Sequence, residues 1–282
     1  MLELPRLPDD LPWPIPAYLL LDGVSASSLV QGLHRWDNHV YHLYQGTRWN
    51  ELADISPLLI SLKGVDDPLL AYFQEHAALE GGYLLFSDVD VQALCKHWRR
   101  LLTVQHPGGV EVMLRIADPA VMHQLLDQAD STRWFGPVQH VCLPDALLAT
   151  WLQHQRPEQT VPVAIDVYRL TEAELTALGE AEFRHAVFDL NHHLQRYFPR
   201  FMASHSAHER LGYAHKLAQS AYRQGFASEQ EITLYANVCA YLAGQQLASH
   251  PDIVELLTAS TQPPLIRVQH AAKLAQERAI HL

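Results

Sequence analysis

Apolar residues in the first half of the chain are grouped in short runs, and each run ends at turn or capping residues. The first run, from Ala17 to Leu21, is followed by Asp22-Gly23, which is a turn signal. Such a run is typical of a β-strand that is buried on both faces. The same pattern predicts strands near 40–44, 57–62, 83–86, 110–116 and 138–143.

Helix-starting signals occupy the intervals between these runs. Asp67 followed by Pro68 predicts one helix start, and Ser87 or Asp88 predicts another. Strands and helices therefore alternate up to about residue 145. This alternation favours an α/β lobe with a mixed or parallel sheet.

The stretch 110–116 is the expected centre of that lobe. Apolar residues occupy every second position, which is the period of a β-strand. Asp118 then offers a helix cap, and Pro119 suits the first helical turn. A strand between two predicted helices suggests a central position in the sheet.

Arg115 is the odd member of this strand, because the face on which it lies also carries the apolar Met113, and its guanidinium is therefore expected to be partly buried. A partly buried guanidinium needs a carboxylate or several carbonyl groups as partners. Asp22, Asp88 and Asp118 are the candidate carboxylates in the first half. The favoured interpretation is a structural ion pair that joins two strand ends. A site for an anionic ligand and a role at an interface are the alternatives.

The second half of the chain has a helical pattern. Three capping boxes begin at Thr171, Ser206 and Ser228, each with a glutamate three residues later. The sequence therefore predicts an all-α lobe after the α/β lobe. The predicted domains are an extended, proline-rich lead-in (1–16), the α/β lobe (17–145), a linker or extra strand (146–170) and the helical lobe (171–282).

The net charge and the cysteine content indicate which classes of partner and which cellular compartment to expect. The net charge is −11, from 31 acidic and 20 basic residues, which argues against nucleic-acid binding. Three widely spaced cysteines without a C-x-x-C motif predict free thiols in a cytoplasmic protein. Neither a signal peptide nor an apolar stretch long enough to span a membrane is evident, so no membrane partner is expected.

Motifs of catalysis are largely missing from the sequence. There is no Gly-rich phosphate loop and no G-x-S-x-G turn, and none of the 18 histidines lies in an H-E-x-x-H motif. We therefore expect no cofactor, no metal site and no catalytic residues. The alternative is a phosphoryl-transfer hydrolase in which Asp22, Asp88, Asp90 and Arg115 gather at strand ends. The favoured interpretation of Asp88 and Asp90 is helix capping.

Aromatic residues are concentrated in the first half of the chain. Most are expected in the core, and a few exposed ones would mark a protein interface. The candidates for partner contact are Trp36, Tyr41, Trp49, Trp134 and Phe135.

Several short motifs of the first half occur in a recognisable order. They are Tyr18-Leu19-Leu20-Leu21-Asp22-Gly23, Leu43-Tyr44-Gln45-Gly46-Thr47, Glu51 to Leu59, Gly82 to Ser87, Leu114-Arg115-Ile116-Ala117-Asp118-Pro119 and Phe135-Gly136-Pro137. The ordered set resembles the effector chaperone, or adaptor, family of bacterial type VI secretion over roughly residues 17–140. Ile116-Ala117 stands where that family would have an aromatic pair.

The resemblance implies a non-enzymatic cytosolic protein that binds a toxic effector and helps load it onto the VgrG spike. It implies no catalytic residues. The common residues of the family have types suited to turns, caps and one Arg–carboxylate pair. They map to Asp22, Gly23, Leu43, Tyr44, Gly46, Thr47, Leu52, Pro57, Arg115, Asp118, Pro119, Gly136 and Pro137. A structural secretion component or an immunity-type binder is a further non-catalytic alternative.

Overall fold

The computed structural model describes residues 2–158, 167–259 and 261–280. The chain divides into two compact units, residues 1–181 and 182–282. The division falls inside a long helix, Glu172–Tyr197, which begins just after the predicted boundary at 170/171. Residues 159–166 of the predicted linker or extra strand (146–170) lie outside the described residues.

A six-stranded sheet forms the centre of the first unit. Its order is β2-β3-β1-β4-β7-β8, and every neighbouring pair is antiparallel. The strands are β1 (Ala17–Leu21), β2 (Val40–His42), β3 (Leu58–Ser61), β4 (Gly82–Phe86), β7 (His140–Asp145) and β8 (Thr150–Gln155). The α/β class is confirmed for this unit, whereas the expected mixed or parallel arrangement of the main sheet is wrong. Helices cover both faces here, so the strands have the apolar runs that also typify parallel sheets.

A second, small sheet has the order β6-β5-β9 and is formed by β5 (Thr103–Gln105), β6 (Glu111–Met113) and β9 (Tyr168–Arg169). Strand β6 is antiparallel to β5, and β9 is parallel to it. The expectation of a central strand at 110–116 is therefore wrong. Only three of these residues form a strand, and it is an exposed edge strand. The buried side chains of Leu114 and Ile116 lie in the loop that follows β6.

Helices on one face of the main sheet enclose the larger of the two cores described in this unit. They are α3 (Val91–Leu101), α4 (Pro119–Leu126) and α5 (Thr132–Phe135). Trp98 of α3 belongs to this core together with strand residues such as Leu20 and Leu85. Alternate residues of β1 and β4 point to this face, as the pleat of a strand requires.

The other face of the sheet is covered by α1 (Ser27–Gly32), α2 (Pro68–His76) and the N-terminal lead-in. Leu11 is buried in this second core. The ring of Trp13 meets that of Phe86 edge-on at 5.3 Å, and Trp151 Nε1 donates to Pro5 O at 2.9 Å. These contacts hold the extended lead-in against the sheet.

The second unit is helical in its described residues, as the sequence predicts. It contains the larger part of α6 (Glu172–Tyr197), followed by α7 (Ala207–Arg223), α8 (Glu229–Tyr241), α9 (Pro251–Thr258) and α10 (Pro264–Ile280). The capping boxes at Ser206 and Ser228 are confirmed, and so is the reciprocal pairing of Thr171 with Glu174 in the first unit. Among the described residues, no helix is both long and apolar enough to cross a membrane.

Candidate functional site

The residues that the family resemblance singles out are called the family-type residues. Most of them lie at one end of the main sheet, which we call the motif end. It consists of the loops 22–26, 43–57, 77–81, 114–118 and 146–149. The antiparallel pairing brings the end of β1 beside the start of both its neighbours, because Leu21 pairs with Leu58 and with Gly82. Segments that are far apart in sequence therefore meet at this end.

Arg115 joins two carboxylates at the motif end. Its Nη2 lies 3.4 Å from Asp118 Oδ2 and 3.6 Å from Asp22 Oδ2, and it donates to Ser25 Oγ at 3.1 Å. The side chain of Arg115 is 48% exposed, whereas both carboxylates are nearly buried. Two of the three predicted carboxylate candidates are thus present, and Asp88 is not. We call this group the Arg115 clamp.

The carboxylates of the clamp also order the backbone around them. Asp22 Oδ1 accepts from the backbone N–H groups of Val24 and Ser25, at 2.9 and 2.8 Å. Asp118 Oδ1 accepts from two N–H groups in the first turn of α4, at 3.0 and 3.2 Å, so it acts as the expected helix cap. Each carboxylate therefore has one oxygen on the backbone and the other toward Arg115, which fixes two loops against each other.

Close backbone packing ties a third loop to the clamp. A Cβ added at Gly23 would lie 2.4 Å from Ser56 O, so only glycine fits there without a shift. Ser56 Oγ accepts from Tyr44 N at 3.0 Å and donates to Pro57 O at 2.8 Å. The sequence did not single out Ser56, and its position just before Pro57 was the only signal available.

Two tyrosines connect the last residue of β6 and the loop that follows it to the same end. Tyr44 OH donates to Met113 Sδ at 3.4 Å, and Tyr83 OH donates to Ile116 O at 2.6 Å. Burial, followed by the nearby Asp22, raises the pKa of Tyr44. Burial, followed by Asp118, raises the pKa of Tyr83. Both phenols therefore stay protonated at neutral pH and act as structural donors.

The turn that contains Gly46 completes the motif end. Gly46 has a φ of +74°, a conformation that favours glycine. Thr47 Oγ1 donates to Tyr44 O at 2.7 Å, and Gly46 N donates to Asn50 Oδ1 at 3.2 Å. These contacts give the family-type residues of this turn a role in positioning the chain.

Gly136 and Pro137 lie at the opposite end of the sheet. Ser87 Oγ donates to Pro137 O at 2.9 Å. A Cβ on Gly136 would meet the His97 ring at 2.2 Å, and burial lowers the pKa of His97 to about 4. Pro119, by contrast, follows the clamp directly as the first residue of α4.

The side chains required for the phosphoryl-transfer alternative do not converge. Asp88 and Asp90 follow β4, whose last residue, Phe86, pairs with Ala17 at the start of β1. Asp22 follows the other end of β1, so about 13 Å of strand separates the two places. Asp90 caps α3 by accepting from Gln92 N at 3.0 Å. Because β1 and β4 are antiparallel, their carboxyl ends lie at opposite ends of the sheet. The geometry that the phosphoryl-transfer alternative requires is therefore wrong.

The aromatic candidates for partner contact are divided by the fold. Trp134 and Phe135 are fully buried, and Trp134 Nε1 donates to the buried Glu174 at 2.9 Å. Their predicted role in partner contact is therefore wrong. Trp36 packs against one core, whereas Tyr41 and Trp49 pack against the core on the other face. These three are half-buried and stay candidates, but they do not form one surface.

The described residues hold no group of three His, Cys, Asp or Glu side chains placed to bind a metal ion. The three cysteines are free and buried. Burial raises the pKa of both Cys142 and Cys239 to about 12, so these thiols are poor nucleophiles at neutral pH.

Residues 17–134 match the family described as "Domain of unknown function (DUF4123)". The chain is 29% identical over 268 residues to "Accessory protein VasW" of Vibrio cholerae serotype O1, which covers 93% of this chain and 88% of the relative. No solved structure gives a significant match. The matched segment contains every motif of the family resemblance seen in the sequence except Phe135-Gly136-Pro137, and that resemblance is confirmed.

Proposed function

We propose that this chain, whose residues 17–134 belong to the DUF4123 family, is an adaptor of bacterial type VI secretion. It binds an effector protein and helps load it onto the VgrG spike. The observation that carries the proposal is the extent of the similarity to an accessory protein. That similarity spans 93% of this chain, so it includes both compact units.

The geometry of the motif end supports a role that is not catalytic. The polar side chains that the family resemblance singles out are already engaged with the protein itself. Asp22 and Asp118 hold backbone N–H groups and Arg115, and Tyr44 donates within the same cluster. A general acid or base needs a side chain that reaches the substrate. These groups instead stabilise the loops that form the surface.

The charge of the chain supports a basic partner. With a net charge of −11, the protein attracts positively charged segments and repels acidic ones. An effector with a basic or amphipathic segment fits this requirement. Electrostatic attraction of this kind increases the association rate and selects against wrong partners.

Co-expression tests the proposal directly. A candidate effector, chosen among the genes that neighbour the gene for this chain, is expressed with and without it, and soluble yield, co-purification and delivery to target cells are measured. We expect the effector to co-purify with this chain and to lose solubility and delivery without it. Equal solubility and equal delivery in both conditions would refute the adaptor role.

A series of truncated effectors separates an adaptor from an immunity-type binder. An adaptor retains the delivery segment of the effector after the toxin domain is removed. Retention of the isolated toxin domain alone would contradict loading and would indicate protection against the toxin. A second pull-down with VgrG measures whether the complex reaches the spike.

A further inference from the structure

Five aliphatic side chains are exposed in the loops of the motif end. They are Val24, Leu52, Ile55, Leu79 and Leu148, and we call them the aliphatic row. Between 41% and 65% of each residue is exposed. Single exposed aliphatic residues are ordinary on a protein surface, but a contiguous group marks an interaction site.

Contacts between the loops bring the segments that carry these residues next to one another. Gly23 packs against Ile55 and Ser56, which joins the loop of Val24 to the segment that carries Leu52 and Ile55. Gly81 packs against Ala26, which joins the same loop to the turn that carries Leu79.

Glu80 Oε1 accepts from Ala146 N at 2.6 Å, which joins that turn to the one that carries Leu148. The loops therefore follow the strand order β3-β1-β4-β7. Three strand spacings correspond to a row of about 14 Å.

The Arg115 clamp makes this surface rigid. It holds the loop of Val24 through Asp22 and Ser25, and the glycine contacts fix the neighbouring loops against it. A surface that is ordered before binding loses little conformational entropy when a partner binds. The family-type residues thus support the aliphatic row without forming it.

The free charge beside the row is negative. Glu51 and Asp54 alternate with Leu52 and Ile55 and are exposed. Neither forms an ion pair in the part of the chain that the structure describes. The nearby cations are engaged, since Arg48 pairs with Glu111 and Arg115 lies in the clamp. An apolar surface edged by free carboxylates suits a partner with apolar and basic side chains.

We propose that the aliphatic row binds an amphipathic segment of the effector, with apolar residues facing the row and Lys or Arg facing Glu51 and Asp54. This inference rests on the adaptor role proposed above. A helical segment of about ten residues is 15 Å long and would cover the row.

Two paired variants and one control test the surface. Val24→Ser with Leu79→Ser removes apolar area, and Glu51→Lys with Asp54→Lys reverses the free charge. The control is Val65→Ser with Asp66→Lys, because both residues are exposed beyond the far end of β3, away from the motif end. Urea unfolding followed by tryptophan fluorescence checks that every variant folds like the parent.

The probes are the co-expressed effector and a synthetic helical peptide of leucine and lysine, with a leucine and glutamate peptide for comparison. Fluorescence anisotropy measures peptide affinity. We expect each row variant to bind the lysine peptide at least about tenfold more weakly than the parent does. The control should bind within about twofold, and the glutamate peptide should not compete.

Each other outcome has a defined meaning. If the parent retains the effector and both row variants retain it equally, the adaptor role stands and the aliphatic row is refuted. If the parent retains no effector, the adaptor role fails and this inference fails with it. Equal binding of both peptides would refute the charge argument. A dimer that the Val24→Ser, Leu79→Ser variant abolishes would assign the row to a second copy of the chain and overturn the inference.

Discussion

Substitutions of Asp118 can separate the two contributions of the Arg115 clamp to stability, which are the helix cap at the start of α4 and the ion pair with Arg115. Its Oδ1 accepts two backbone N–H groups at the start of α4, and its Oδ2 faces the half-exposed Arg115. Loss of a buried helix cap costs about 1–2 kcal/mol. An ion pair with a half-exposed arginine contributes about 0–1 kcal/mol, because water screens it. The cap should therefore account for most of the effect.

We expect Asp118→Ala to lower the unfolding free energy of the first unit by about 2 kcal/mol. Asp118→Asn keeps a good capping oxygen but loses the charge and turns an amide NH2 toward the half-exposed Arg115, so its cost should stay below about 1 kcal/mol. Arg115→Met should cost at least as much as Asp118→Asn, because it also removes the contacts of Arg115 with Asp22 and Ser25. Added salt should reduce the differences that come from charge.

Tryptophan fluorescence during urea unfolding is a suitable assay for this series. All six tryptophans lie before residue 182, so the signal reports the first unit alone. The unfolding midpoint and slope give the free energy for each variant. If Asp118→Asn costs as much as Asp118→Ala, the ion pair dominates over the cap, and the reasoning from exposure is refuted.

Four further variants test other parts of the first unit by the same assay. Gly23→Ala should cost about 2 kcal/mol or more, because the added Cβ would lie 2.4 Å from a main-chain oxygen. Gly179→Ala should instead stabilise its helix by about 0.5–1 kcal/mol, because the added Cβ would have no atom within 4 Å. Equal effects of the two substitutions would contradict the packing argument. Glu174→Ala should cost about 3 kcal/mol, since it leaves buried donors unpaired, and a cost below about 1 kcal/mol would show that water replaces the carboxylate. His97, whose pKa burial lowers to about 4, is neutral in the folded unit, so the stability it contributes is present above about pH 6.5 and is lost as the pH falls toward 4. His97→Gln should therefore show a smaller loss of stability between pH 7 and pH 5 than the parent, and an unchanged loss would refute this assignment.

The sequence identified the elements whose signals are local. The capping boxes at Ser206 and Ser228 form as predicted, since each depends on residues only three positions apart. The cap at Asp118 and the first-turn Pro119 are present for the same reason. The need of Arg115 for carboxylates was also evident, because the cost of burying a charge does not depend on the fold.

Strand direction was decided by the tertiary structure. Apolar periodicity reports how much of a strand is buried, and both faces of this sheet are covered by helices, so antiparallel strands gave the pattern of parallel ones. Strand direction also determined which side chains meet at the motif end. Because β4 runs against β1, Asp88 lies at the far end of the sheet from Asp22, and the group required for phosphoryl transfer never forms.

The chain by itself therefore determined its locally encoded caps at Asp118, Ser206 and Ser228, the helical character of its second half and the match of residues 17–134 to a family model. Only the tertiary structure decided that Trp134 is buried and that the loops of Val24, Ile55, Leu79 and Leu148 meet at one end. Caps and periodicity act over a few residues and are encoded locally. Burial and adjacency depend on which distant strands pair, and that follows from the packing energy of the whole unit.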